Sequence, residues 1–429
     1  ITLCLTAGFA GLVAIGFPFA IAIALCVTAA LLVADIEPAF LAQSVLSGAQ
    51  SFSLLAIPLF MLAGGLMTAG GLSQRLVDFA GTLVRHRTGG LAMVAVLSAL
   101  IFSAISGSAP ATTAAIGSIL IPAMARAGYD RAFAASIAVS AGVLGPLIPP
   151  SIAFVIWGIV AEQSIGRLFL SGIVPGLALA AGLLVVCWVH AKRNRVPKLP
   201  RATLAETWSA FHRGKWALLS PAIVLGGIYG GVFTPTESAA IGCIATLAVG
   251  IARGTLHARH LREALLATAE TTAMIFVILL GAEVFNAFLA LTGAPELLAL
   301  WITEQGFAPY GVLVLLLLAY ILLGAVMDEL AMILLTLPIF FPVVTALDFG
   351  LTTEETAIWF GILVLVVVGI GLTAPPIGLN VFVVSSLARD VPITRTYRGV
   401  LPFLATDLVR LGLCTAFPAI SLWLVRLLG

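Results

Sequence analysis

The sequence predicts an all-α polytopic membrane protein of about ten spans plus two re-entrant helical hairpins, arranged as an inverted repeat. Three observations predict it. The first is composition. Of 429 residues 61% are hydrophobic and 9% charged, where a soluble domain carries roughly 25% charged residues. The mean hydropathy is +1.17, and apolar runs of about 20 residues, the length that crosses a bilayer, recur along almost the whole chain. The second is the placement of charge: every Lys and Arg except Arg167, Arg410 and Arg426 falls in one of five breaks between apolar runs. The third is a doubled motif. GPLIPP at residues 145–150 and GLTAPP at 371–376 each put Gly-x-x-x-Pro-Pro inside a long apolar run.

The charges orient the spans. Basic breaks hold Arg75, Arg85 and Arg87, then Arg126 and Arg131, then the stretch 190–215, then Arg253, Arg259 and Arg262, then Arg389, Arg395 and Arg398. Acidic breaks hold Asp35 and Glu37, Glu162, Glu237, Glu296 and Glu304, then Asp348, Glu354 and Glu355. The positive-inside rule puts the basic breaks in the cytoplasm and the acidic ones outside. Cys4, Cys26, Cys187, Cys243 and Cys414 all lie in apolar runs, a spacing that gives neither a disulfide framework nor a metal site.

Taken in order, residues 2–34 divide into two short spans at GFPF, around Pro18. With no basic n-region or cleavage site the start reads as a span and not as a removed signal. Residues 90–125 run between two basic clusters, so they enter and leave on one side, with SGSAPATT at the tip. A broken span, 131–161, and a final span complete a first repeat of residues 1–189. The basic stretch 190–215 is a cytoplasmic connector, and 216–429 is the second repeat. There, 216–252 splits at FTPTE, 310–345 is a hairpin between acidic ends with GAVMDEL at its tip, and 356–388 is the second broken span. An odd number of crossings per repeat inverts the second half and puts both termini outside.

Irregular backbone at membrane depth is tolerated only where it is buried in protein or lines a cavity. Pro149-Pro150 and Pro375-Pro376 remove amide donors, so carbonyls from Gly145 to Ile148 and from Gly371 to Ala374 lose helical partners. Such carbonyls suit a hard cation. Half-helix N-termini, at Thr112 or Ile152, offer amides to an anion. Against this, a single Pro-Pro in a membrane helix is commonly a kink, and Ser, Thr and Gly are common at plain helix contacts. The doubling of hairpin and break in both halves favours a site.

Other polar residues have simpler readings. Asp328 and Glu329 lie at the second tip, where Asp328 is either a cation ligand or a helix cap. Glu237 reads as a cap, with a transport role as the alternative. Asp407 and Arg410, three apart on one helix, read as a pair or as a subunit contact; Glu283 lies mid-span without an assigned role. Trp208, Phe211 and Trp216 among basic residues suit a helix on the cytoplasmic leaflet, as does the run LSQRLVDFAGTLVRH. No HExxH, nucleophile elbow, phosphate loop or ATP-binding motif is present, and all five His fall in cytoplasmic breaks. The sequence therefore predicts no enzyme and no nucleotide-driven pump.

The motifs SFSLLAIPLFMLAGGLM, SGSAPATTAAIGSILIPAM, GPLIPPSI, GGVFTPTESAAIG and GLTAPPIGLNVF, in this order, resemble the large membrane subunit (DctM type) of TRAP, the tripartite ATP-independent periplasmic transporters. The resemblance covers essentially the full chain. It implies an elevator-type transporter fold and Na⁺-coupled secondary import of a small organic anion, a carboxylate or sulfonate, across a bacterial inner membrane. It also implies two partners, a small four-helix membrane subunit of DctQ type and a periplasmic substrate-binding protein of DctP type. Position by position it puts one Na⁺ on Ser103, Ser106, Gly145, Ile148 and Pro150, and a second on Gly324, Gly371, Ala374 and Ile377. Most of these would act through carbonyl oxygens. Ser108, Thr112, Thr373 and Asn380 are the substrate candidates beside them. The chain departs from the family at Ala374, where Thr is usual and the hydroxyl stands one place earlier at Thr373, and at Gly65, where many members carry Glu. An H⁺-coupled anion transporter and a passive channel component are the alternatives.

Overall fold

The computed structural model describes residues 52–428 except 197, together with scattered earlier positions of which Phe19–Val33 is the longest stretch. Cys4, the break read at Pro18, and Asp35 and Glu37 lie outside the described residues. Among the described residues every regular element is helical. The first half comprises α1 (Phe19–Val33), a 3₁₀ turn at Phe52–Leu55, α2 (Ala56–Ala69), α3 (Leu72–Val84), a hairpin of α4 (Gly90–Ser106) and α5 (Ala109–Arg126), and a broken rod of α6 (Arg131–Gly142), α7 (Leu144–Leu147) and α8 (Ile152–Val160). Then α9 (Ile165–Arg193) leads to the second half. That half comprises α10 (Leu204–Tyr229), α11 (Pro235–Ala252), α12 (Ala258–Thr292), α13 (Ala294–Glu304), a hairpin of α14 (Pro309–Gly324) and α15 (Glu329–Thr345), a broken rod of α16 (Thr353–Thr373) and α17 (Leu379–Leu387), then α18 (Ile393–Ala416) and α19 (Ala419–Leu428).

Hydropathy alone does not say which helices are central; burial does. By length and composition seven segments can cross a membrane. The apolar window of α16 is 100% buried and that of residues 131–160 is 89% buried, whereas that of Ala258–Ala287 in α12 is 28% buried. A helix apolar on all sides must be wrapped by protein or lipid; α16 is wrapped by protein and α12 leaves most of its surface outside. The valines of α16 have modest helix propensity, which packing overrides. The two broken rods cross where Gly369 of α16 meets Val143, so tightly that a Cβ on Gly369 would run into the Val143 side chain. Of the outer helices, α1 lies against α12 and α11 against α2.

Helix starts are written in polar side chains. Capping boxes open α10 (Thr203 with Glu206), α11 (Thr234 with Glu237) and α16 (Thr352 with Glu355). Asp130, Ser151 and Ser164 cap α6, α8 and α9. Each cap satisfies an amide that the helix cannot. They also set where helix begins within the connector, which the residues Trp208, Phe211 and Trp216 already marked as partly helical. The connector read as 190–215 is helical over most of its length, because α9 runs through Arg193 and α10 begins at Leu204 rather than near 216. The reason is local: Glu206 N donates to Thr203 Oγ1 at 3.1 Å, Thr203 N donates to Glu206 Oε2 at 3.0 Å, and cations favour the C-terminal turn of α9.

Candidate functional site

At the first tip, Gly107 ends α4 with φ +59°, a left-handed turn that glycine adopts without a Cβ penalty. Ser108 follows in extended conformation and α5 begins with Pro110 in its first turn, where a missing amide costs nothing. Ser103, Ser106 and Thr112 are fully buried inside this hairpin. Ser106 Oγ and Thr112 Oγ1 share a hydrogen bond of 2.9 Å, and Ser103 Oγ stands 3.5 Å from the same Thr112 oxygen.

The break between α6 and α8 closes on that tip. Pro149 and Pro150 carry no amide for the carbonyls of Gly145 and Pro146, four residues back. Ser151 Oγ donates to Pro146 O at 2.5 Å and so replaces one lost donor. Ile152 N donates to Gly107 O at 3.3 Å. A Cβ on Gly145 would lie 2.5 Å from the Ser108 carbonyl, and one on Gly107 would lie 2.8 Å from Pro150 O. Ser103, Ser106, Gly145 and Pro150 are thus gathered at one tip, while the Ile148 side chain turns onto Gly176 of α9.

The second tip repeats the construction. Pro375 and Pro376 deny amides to the carbonyls of Gly371 and Leu372. A Cβ on Gly371 would lie 2.5 Å from the carbonyl carbon of Gly324. Ile377 N and Gly378 N donate to Ala325 O at 3.3 and 3.4 Å. Gly324, Gly371 and Ala374 are buried here, and Ala374 N donates to Ile370 O and Gly371 O at 2.9 and 3.2 Å. Ile377 is exposed, and its carbonyl accepts from Tyr397 Oη at 2.5 Å.

The four substrate candidates separate. Ser108 lines an open groove of about 460 Å³ between α5, α2 and α12, with Ser106, Ser118 and Thr268. No charged side chain lines this groove. Gly65 lines it too, and a Cβ there would meet only Ala264 Cβ, at 3.7 Å. Thr112 belongs to the buried hydroxyl cluster. Thr373 donates to Ile370 O at 2.9 Å, within its own helix. Asn380 is buried, with Nδ2 3.4 Å from Val139 O of α6 and Oδ1 unpartnered, so it joins the two rods.

Elsewhere, Asp328 caps α15, with Oδ2 accepting from Leu330 N at 3.0 Å. Its neighbour Glu329 is buried with Oε2 unpartnered. Glu237 closes the capping box of α11. Arg410 and Asp407 are buried together at 3.2 Å, and Arg410 Nη1 reaches Pro175 O of α9 at 3.4 Å. Among the described residues no group of His, Cys, Asp or Glu is arranged to hold a metal. Sequence reasoning did not identify Ser151 and Tyr397. Ser151 was legible as the residue after Pro-Pro and before a helix; Tyr397 had no local signal.

Two broken rods, each meeting the tip of a helical hairpin in a chain this apolar, define a polytopic membrane permease. The chain belongs to the family of the DctM component of tripartite ATP-independent periplasmic transporters, which it matches over residues 6–420. It is 41% identical to the C4-dicarboxylate TRAP transporter large permease protein DctM of Pseudomonas aeruginosa, over 91% of this chain and 90% of that one. It is 37% identical to the 2,3-diketo-L-gulonate TRAP transporter large permease protein YiaN of Escherichia coli, over 93% and 92%. Among solved structures, the YdaH transporter of Alcanivorax borkumensis shares the fold, with TM-score 0.63 at 16% identity over 90% of this chain and 88% of that chain. The family is one of transporter permease subunits, not of enzymes.

Proposed function

We propose that the protein imports a small organic anion across a bacterial inner membrane, driven by co-transport of Na⁺ at the two tips. The observation that carries this reading is the paired construction. In each half a buried glycine packs directly against the backbone of a hairpin tip, and the proline four residues on offers its carbonyl no helical amide. The first tip also holds the linked hydroxyls of Ser103, Ser106 and Thr112. A dehydrated cation needs such a set of oxygens, and a negative carboxylate is not required for a monovalent ion. The substrate enters the groove at Ser108, where hydroxyls, the amide end of α5 and the nearby Na⁺ balance its charge. The names of the two relatives, C4-dicarboxylate and 2,3-diketo-L-gulonate, support a carboxylate; a sulfonate fits the same chemistry.

In this reading a periplasmic binding protein delivers the substrate and a small membrane subunit of DctQ type covers part of the outer helices, such as α12, whose apolar window is only 28% buried. Hairpins and broken rods move together as an elevator, with the basic breaks cytoplasmic and both termini outside. A second reading, coupling to H⁺, has one observation in its favour, the buried and unpartnered Glu329 Oε2. Proteoliposomes holding the permease and its small subunit, supplied with loaded binding protein, separate these. The expected result is accumulation under an inward Na⁺ gradient and none with K⁺ or choline, with ATP irrelevant. Accumulation driven by a pH gradient without Na⁺ would select the H⁺ reading. Equilibration without accumulation would select a passive channel.

A further inference from the structure

A cleft of about 720 Å³ lies between α9 and α18, over the start of α6. Its polar end holds Arg193, Arg395 and Arg398, with His190 and Asp130 beside them. None of the three arginines is in an ion pair among the described residues. The one carboxylate in the cleft, Asp130, is engaged as the cap of α6, accepting from Phe133 N at 3.2 Å. Three guanidinium groups thus face a single committed carboxylate. The floor is rigid: His190 stacks on Phe133, centroids 3.4 Å apart and 4° from parallel.

The other end is apolar. On α9, Val185, Trp188, Val189, Lys192 and Arg193 share one face, at spacings of three and four residues. The order along that face is aliphatic, then aromatic, then basic, with Lys192 Nζ 5.0 Å from the Trp188 ring. This is the order in which a helix leaves a bilayer. On α18, Arg395, Arg398, Gly399 and Pro402 share a face and run the opposite way, from basic to apolar. The helices are therefore antiparallel here, and their basic ends meet on the side to which the chain's basic breaks point. Val185 is 57% exposed, so the apolar part of the cleft opens outward.

We propose that this cleft holds an anionic phospholipid, its phosphate on Arg193, Arg395 and Arg398 and an acyl chain along Val185, Val189 and Pro402. Arginine forks suit phosphate oxygens, and basic pockets between spans at the cytoplasmic face take anionic headgroups. The apolar strip continuous with the arginines favours a lipid over a soluble phosphate, which would leave that strip uncovered.

The test titrates the full-length permease, in detergent with its small subunit, with dioleoyl phosphatidylglycerol, dioleoyl phosphatidylcholine or glycerol phosphate. Native mass spectrometry counts bound lipid. Phosphatidylglycerol is expected to bind in preference to phosphatidylcholine, and R395Q/R398Q to weaken it about thirtyfold. R395K/R398K keeps the charge but loses the forked donors, and its affinity is expected to fall between wild type and R395Q/R398Q. If R395Q/R398Q loses its monodisperse form, R193Q decides alone, with an expected loss of about fivefold. Wild-type phosphatidylglycerol affinity in R395Q/R398Q, or in R193Q, overturns the proposal. So does displacement of the lipid by equimolar glycerol phosphate, which would make the cleft a soluble-phosphate site. Loss of a subunit contact in R395Q/R398Q, with lipid binding intact, would make it a protein interface.

Discussion

Replacing Gly145 by Ala tests whether the first tip is held at the distance a cation needs. The added Cβ would lie 2.5 Å from both the carbonyl carbon and oxygen of Ser108, and 2.7 Å from Ala109 N. Ordinary contact begins at 3.4 Å, so the two backbones must separate by about 1 Å. No side-chain rotation relieves this, because the three nearest atoms are all main chain. Overpacking of this kind costs about 1–3 kcal/mol, which thermal melting in detergent reads as a lower midpoint. If the carbonyls around Gly145 hold Na⁺, a separation of about 1 Å removes at least one ligand, again about 1–3 kcal/mol. The Na⁺ concentration for half-maximal uptake should rise roughly tenfold to hundredfold. Gly145→Val should be worse, since its branched Cβ adds bulk against the same peptide. The control is Gly226→Ala in α10, where a Cβ meets nothing within 4 Å and helix propensity favours the change by up to about 1 kcal/mol. Uptake in proteoliposomes, measured across external Na⁺ for both variants, decides. The reasoning fails if the two share one Na⁺ dependence.

Ser106→Ala removes the 2.9 Å partner of Thr112 and should raise half-maximal Na⁺ about tenfold or more, whereas Ser98→Ala, which deletes a buried hydroxyl without a partner, should leave uptake unchanged. Arg410→Met strands the Asp407 carboxylate in the interior and should destabilise the protein by about 3–5 kcal/mol; pairing it with Asp407→Asn should restore most of the melting temperature. Tyr397→Phe removes the hydroxyl that holds Ile377 O at 2.5 Å. It should weaken Na⁺ dependence about threefold to tenfold, and an unchanged Na⁺ titration would detach Ile377 from any cation site.

The hairpins and breaks were legible because proline and glycine act locally. A Pro-Pro pair deletes two helical hydrogen bonds wherever it falls, and the chain around Pro149-Pro150 and Pro375-Pro376 does break there. The start of α10 was also written, as Thr203-x-x-Glu206, and the aromatic residues after it marked a helix, but nothing local showed that this helix runs on unbroken to Tyr229. Thr112 illustrates a different limit. It lies four residues after Ser108, and helical spacing puts such a pair on one face. Ser108 is not helical, however; it is the extended cap with φ −132° and ψ 132°, so the phase does not carry across it. Ser108 lines the groove and Thr112 turns inward to Ser106. Tyr397 lies twenty residues from the carbonyl it serves, and only the packing of α18 beside the break brings it there.

The two tips are built alike but not enclosed alike, and the difference governs how each can satisfy its backbone. Residues 141–150 are all buried, so every polar group freed by Pro149 and Pro150 must find its partner within the protein. Ser151 takes one carbonyl, Ile152 closes on Gly107, and the hydroxyls of Ser103, Ser106 and Thr112 bond to one another. Pro375, Pro376 and Ile377 are exposed. There the carbonyls of Pro376 and Ile377 share one phenolic proton, from Tyr397, at 3.0 and 2.5 Å. A carbonyl oxygen has two lone pairs, so a group that accepts from Tyr397 keeps one direction free. The hydroxyl then aims the carbonyl without closing it, and the second break keeps its acceptors ordered although water can reach them. A buried first tip and an open second tip are what one sequence pattern gives when two copies of it face different surroundings.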